Sequence, residues 1–190
     1  MKNIITILFA VLLLAPISID AKNNTKREIN RAVKQKMKEY KKEGWVTLSS
    51  EPLKNVLKSH FEKLDIYGGA CLTFYGDARD KASVSIVKRR AKERAFADFA
   101  EHLSSEIESE MTDLVSSDEN SDSNVNKFAS AIRLRAKQEI RGIMQESYTI
   151  YRQLDNGIIE VRTYYLVLDE AIRRAKVRAR ENTLKELGLN

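Results

Sequence analysis

The chain is predicted to be an α+β protein: a small antiparallel three-stranded sheet packed by a long central helix and a C-terminal helix, with an antiparallel helical hairpin extending from it and a basic helix in front. Three observations predict this. Apolar residues recur at helical spacing through 83–116, 125–144 and 169–187. Two β-type runs, 148–154 and 158–168, flank Asp155, Asn156 and Gly157, a strong hairpin signal because a type I′ turn needs positive φ at both central residues. A third compact apolar run, 70–75, is bounded by Gly69 and Gly76 and reads as the remaining strand.

Residues 1–21 have the layout of a secretory signal peptide: Lys2, then an apolar run from Ile4 to Ala15, then Pro16 and a small-residue end at Ala21. Cleavage after Ala21 is the expectation, with an uncleaved anchor as the alternative. The organisation that follows is a basic helix and connector over 22–48 and one α+β domain over 49–190. Cys71 is the single cysteine and lies far beyond the apolar run, so no lipid-anchor cysteine stands at the expected cleavage point. The expected location is therefore exported, periplasmic or outer-envelope associated. Formal net charge is +6, and Lys2 and Asp20 cancel, so the excess of base belongs to the remainder. Export takes nucleic acid out of reach; anionic envelope polymers or lipid headgroups are the natural electrostatic partners.

In chain order, Ile29, Val33, Met37 and Tyr40 form one narrow apolar stripe ended by Gly44 and Trp45. The other faces are basic, with Lys34, Lys38 and Lys41 among them. Pro52 opens a short helix whose stripe is Leu53, Val56, Leu57, Phe61 and Leu64. The long helix over 83–116 places Lys88, Arg89, Arg90, Lys92 and Arg94 first and acids after them, the reverse of what the helix dipole favours. Its stripe is small at the front, Ala91 and Ala95, and bulky behind, Phe99, Leu103 and Ile107, so the front is expected to cross the sheet. Ser, Asp, Asn and Glu over 116–124 form a turn, and the helix that returns carries Lys127, Arg133, Arg135, Lys137 and Arg141, which are expected to pair with the acidic half. In the hairpin, Asp155 is expected to face Ile158. That sets Tyr148, Ile150 and Arg152 on a core face with Val161, Thr163 and Tyr165, while Thr149, Tyr151, Arg162 and Tyr164 meet water. The C-terminal helix lays Ala171, Ile172, Ala175 and Ala179 on the sheet, leaving a second stripe, Val177, Leu184 and Leu187, in need of a partner.

Catalytic patterns are weak. His60 and His102 sit on separate helices without ligands at metal spacing and read as partly exposed helix residues. Cys71 in an apolar strand reads as a buried, inert thiol. Ser104 and Ser105 follow His102 in a helix rather than on a strained elbow, and Gly68, Gly69 and Gly76 match no phosphate loop. No catalytic residue, cofactor or metal site is expected.

Several short segments together resemble a family of small bacterial envelope proteins, surface lipoproteins among them, whose core is similar to the N-terminal domain of the flagellar protein FlgT. They are Lys41-Lys42-Glu43-Gly44-Trp45, Gly76-Asp77-Ala78, the spaced Ala91, Ala95, Leu103 and Ile107, and Ile159-Glu160-Val161-Arg162. The resemblance implies an exported, non-enzymatic α+β domain; the missing lipid-site cysteine departs from it. The resulting expectation is an exported envelope protein acting as a binding or assembly module. Its candidate interaction surface is Val177, Leu184 and Leu187 with Ile29, Val33, Met37 and Tyr40, for an envelope protein or a second copy. The alternative is an electrostatic binder of anionic lipid or polymer through Lys34, Lys38, Lys41, Arg173 and Arg180.

Overall fold

A computed structural model describes residues 26–115 and 121–186, with backbone alone at 108, 110–115, 121–129 and 141. The signal-like segment 1–21, part of the polar turn 116–124, and Leu187 lie outside the described residues. The elements are α1 (Lys26–Lys42), β1 (Val46–Thr47), α2 (Leu53–Tyr67), β2 (Cys71–Asp80), α3 (Val84–Val115), α4 (Ser121–Glu139), a 3-10 turn (Ile140–Gly142), β3 (Gln145–Gln153), β4 (Ile159–Leu168) and α5 (Asp169–Glu186). The fold is α+β, but the antiparallel sheet has four strands in the order β1-β3-β4-β2, not three. The added strand is only Val46 and Thr47, opposite Tyr151 and Ile150, too short to show a period of its own.

The hairpin turn has the backbone its sequence calls for, Asn156 at φ 66° and Gly157 at φ 72°. Its register differs from the expectation by one residue. The Leu154 N–H donates to the Ile158 carbonyl at 2.8 Å, so three residues form the loop and Gln153 faces Ile159. Because side chains alternate along a strand, a one-residue slip exchanges faces. Tyr148, Ile150 and Arg152 therefore lie opposite Tyr164, Arg162 and Glu160, whereas Thr149 and Tyr151 lie opposite Thr163 and Val161. A bulge at Ser147 shifts the ladder again between Glu146 and Tyr148.

Neither face of the sheet is left to water as expected. On one, Tyr165 and Val167 join Phe99, Leu103 and Ile107 of α3, Ile132 and Ala136 of α4, Ile140 of the 3-10 turn, and Ala175 and Ala179 of α5. On the other, Tyr148, Ile150 and Tyr164 are covered by Ile29, Val33 and Tyr40 of α1, Trp45, and Val56 and Leu57 of α2. The basic first helix is thus a structural layer. β2 also runs on through Gly76, where α3 crosses so closely that a Cβ would stand 2.0 Å from the Ala91 carbonyl and 2.6 Å from the Ala95 nitrogen. The small front of α3 is used as expected.

Among the described side chains, the basic front of α3 is answered from the sheet. Lys88 Nζ lies 2.6 Å from Glu146 Oε1, and Arg90 pairs with Asp80 at the end of β2. The α5 helix reaches both neighbours: Glu106 of α3 lies 2.7 Å from Lys176, Arg135 of α4 lies 3.0 Å from Glu186, and Glu139 of α4 lies 2.8 Å from Arg178; much of the expected pairing of α3 with α4 falls on side chains outside those described. The α5 helix packs against both α3 and α4.

Candidate functional site: a lysine-rimmed groove between the first two helices

The α1 helix buries Ile29, Val33 and Tyr40 toward the sheet, and this rotation sets the flank formed by Lys34, Lys38 and Lys41 beside α2. Gly44 at φ 77° reverses the chain as the helix ends, and the Trp45 N–H donates back to the Tyr40 carbonyl at 2.9 Å. That turn tucks Trp45 under α1, where it is 3 % exposed, and presents Val46 to solvent at 47 %. The result is a groove of about 960 Å³ with Val33, Met37, Trp45, Val46 and Leu53 as its apolar lining. Lys34, Lys38 and Lys41 stand on one rim, and Lys54 of α2 joins them. Among the described residues these four ammonium groups have no carboxylate partner, whereas Lys36 pairs with Glu39 and Lys58 with Glu62 on the same helices.

A polar network fixes the layer beneath. The Tyr40 hydroxyl lies 3.0 Å from the Tyr148 hydroxyl and donates to that of Tyr164 at 3.0 Å, while the Tyr148 and Tyr164 rings stack at 4.3 Å. Burial raises Tyr40 and Tyr148 far above the ordinary phenol range, reinforced at Tyr40 by Tyr148 and Tyr164 and at Tyr148 by Tyr164, against a smaller lowering from the Tyr40 hydrogen bond, so both are neutral. The Trp45 indole N–H donates to Glu43 at 2.9 Å, and its ring meets the Arg152 and Arg162 guanidiniums at 4.5 and 5.0 Å. Glu160, fully buried, accepts from Arg79 at 2.8 Å and Arg152 at 2.6 Å. Burial pushes its carboxyl up, but the hydrogen bonds and charges of the two arginines outweigh burial and hold it below the usual range.

His60 departs from the expected partly exposed position. It is 5 % exposed, its Nδ1 lies 2.8 Å from Ser147 Oγ at the bulge, and its ring packs edge-on to Phe61 and Tyr148. Burial, with a smaller contribution from Lys63, lowers its pKa to about 4. The pair ties α2 to β3. His102 remains half exposed, 3.6 Å from Glu106, and Cys71 is partly exposed rather than buried. Among the described residues no group of three or more His, Cys, Asp or Glu is placed to hold a metal ion.

No family model, curated protein or solved structure matches this chain.

The structure therefore divides the residues singled out from the sequence. Lys34, Lys38 and Lys41 come together at the groove; Arg173 and Arg180 are exposed on α5, which packs on the opposite face of the sheet. Ile29, Val33 and Tyr40 are consumed by the α1–sheet core, and Met37 is partly buried at the groove. They do not meet the α5 stripe, in which Val177 is 46 % exposed but Leu184 packs on the core of the other face. Sequence reasoning missed Lys54, Val46 and Leu53 as groove residues. The available signals were the Gly44 turn and the i, i+4, i+7 spacing of the lysines; their meeting with Lys54 needs the α1–α2 packing.

Proposed function

We propose that this chain is an exported, non-enzymatic binding module of the cell envelope, working through the α1–α2 face as an electrostatic receptor for anionic lipid or polymer. The observation that carries this reading is the convergence on one groove of four lysines that have no carboxylate partner among the described residues. The signal-like segment 1–21 and the resemblance of its short segments to an envelope family support the location. A lysine near an anionic surface contributes roughly 1 kcal/mol, so four together give about a thousandfold preference for anionic over neutral surfaces at low salt.

Because α1 covers the sheet, its charges are to be changed rather than the helix removed. Lys34→Gln, Lys38→Gln, Lys41→Gln and Lys54→Gln, singly and combined, should progressively weaken co-sedimentation with phosphatidylglycerol vesicles and with a soluble polyanion. Wild-type binding should fall steeply as salt rises. Retention of the fourfold variant equal to wild type on both probes would overturn the reading. An envelope protein partner is the second expectation carried from the sequence, and exposed Val177 on α5 is where it would be sought.

A further inference from the structure

The lysine rim would serve any polyanion, but the groove interior would not. Val33, Met37, Trp45, Val46 and Leu53 form an apolar trough between cationic walls, and Val46 stands 47 % exposed within it. A hydrated polymer gains nothing from that surface, and a flat bilayer does not reach into a concavity between two helices. A second copy of this chain would bring the same lysines against these. The volume of about 960 Å³ lies within the roughly 300–1,000 Å³ typical of small-molecule sites, which pair an apolar lining with a few placed polar groups. Lys34, Lys38 and Lys41 run about 10 Å along one helix flank, and their methylene stems extend the apolar wall up to the charge.

We infer that the groove takes the hydrocarbon chain of a monomeric, single-chain anionic amphiphile, a fatty carboxylate being the simplest, with its head group held by the surrounding lysines. This rests on the reading of the rim as an anion receptor and adds the acyl chain to it. Trp45 is the only tryptophan of the chain and lines the groove, so its emission reports occupancy directly.

The test is a titration of the full chain with octanoate, decanoate and dodecanoate below their micelle concentrations, followed by Trp45 fluorescence, with dodecylammonium and dodecyl maltoside as matched cationic and neutral chains. The expected result is a saturable emission change for the carboxylates only, with affinity rising roughly tenfold for each two added carbons, as methylene burial requires. Lys38→Gln with Lys41→Gln should weaken binding at least about tenfold by loss of head-group charge. Val46→Phe, at an exposed position that leaves the charges and the core alone, should shorten the chain the groove accepts, with folding checked by circular dichroism. An absent emission change, an affinity independent of chain length, or an equal response to dodecylammonium would each overturn the inference. If lysine-dependent retention on vesicles persists while Trp45 stays silent, the acyl-chain inference fails and the electrostatic reading stands; if both are absent, both fail.

Discussion

His60 shows how one buried side chain sets the pH response of a layer. Its imidazole is held neutral against Ser147, with a folded pKa of about 4 against an ordinary 6.5. The folded-state value is the lower one, so its stabilising effect is complete above pH 6.5 and declines as pH falls toward 4, where protonation favours the unfolded chain. The expected loss is about 3 kcal/mol by pH 4. Urea melts at pH 7 and pH 4.5 should show it, and His60→Gln should flatten the difference while lowering stability at pH 7; an unchanged pH slope in the variant would contradict the assignment. Glu160 acts in a lower window: a carboxyl held below its ordinary value contributes fully above that ordinary value, and the contribution declines as pH falls from there through the lower folded value. From the sequence His60 reads as a partly exposed helix residue, because its burial depends on the Ser147 bulge nearly ninety residues away. Alternation within one strand does not reveal such a partner.

At the scale of elements, the closest contact is the crossing of α3 over β2. Gly76→Ala would drive a methyl carbon into the Ala91 carbonyl and the Ala95 nitrogen, both backbone atoms that no rotamer change can move. Destabilisation of about 3 kcal/mol or more is expected, at the upper end of ordinary overpacking, with thermal unfolding followed by circular dichroism as the check. A neutral effect would mean the helix shifts freely. This crossing was legible in part: Ala91 and Ala95 announced a close approach, but a glycine beside an apolar run looked like a strand end, and only the ladder from Cys71 to Asp80 shows it as an interior position. The hairpin was legible in its turn and illegible in its register. Asp155-Asn156-Gly157 suits loops of two or three residues, and tyrosines, threonines and arginines populate both strands' faces, so amphipathic alternation did not decide between them.

At the scale of the molecule, the sheet is the middle of three layers. The α1 helix carries a narrow apolar stripe and many lysines, a pattern that suits a solvated arm as well as a covering layer. The structure makes it a layer through Tyr40, whose hydroxyl meets two strands. Removing 26–44 should therefore do more than reduce charge. It should expose Tyr148, Ile150 and Tyr164, abolish the single cooperative transition in urea and raise binding of an apolar dye. A truncated chain that still unfolds in one sharp transition of unchanged midpoint would show the layer to be dispensable. The candidate site follows the same logic: each lysine is visible in the sequence, but a rim exists only where α1 and α2 face each other.

The Tyr40 contacts have a consequence for the order in which the chain is built. They join residues 108 and 124 positions apart, while α3 packs on the strand immediately before it. During synthesis α1 and α2 emerge first, and Ile29, Val33, Tyr40 and Leu57 have no sheet to cover until β3 and β4 follow more than a hundred residues after α1. Closing so long a loop makes docking of this layer a late step in folding. The groove, formed by that layer together with Val46 of β1, is among the last features of the molecule to be completed.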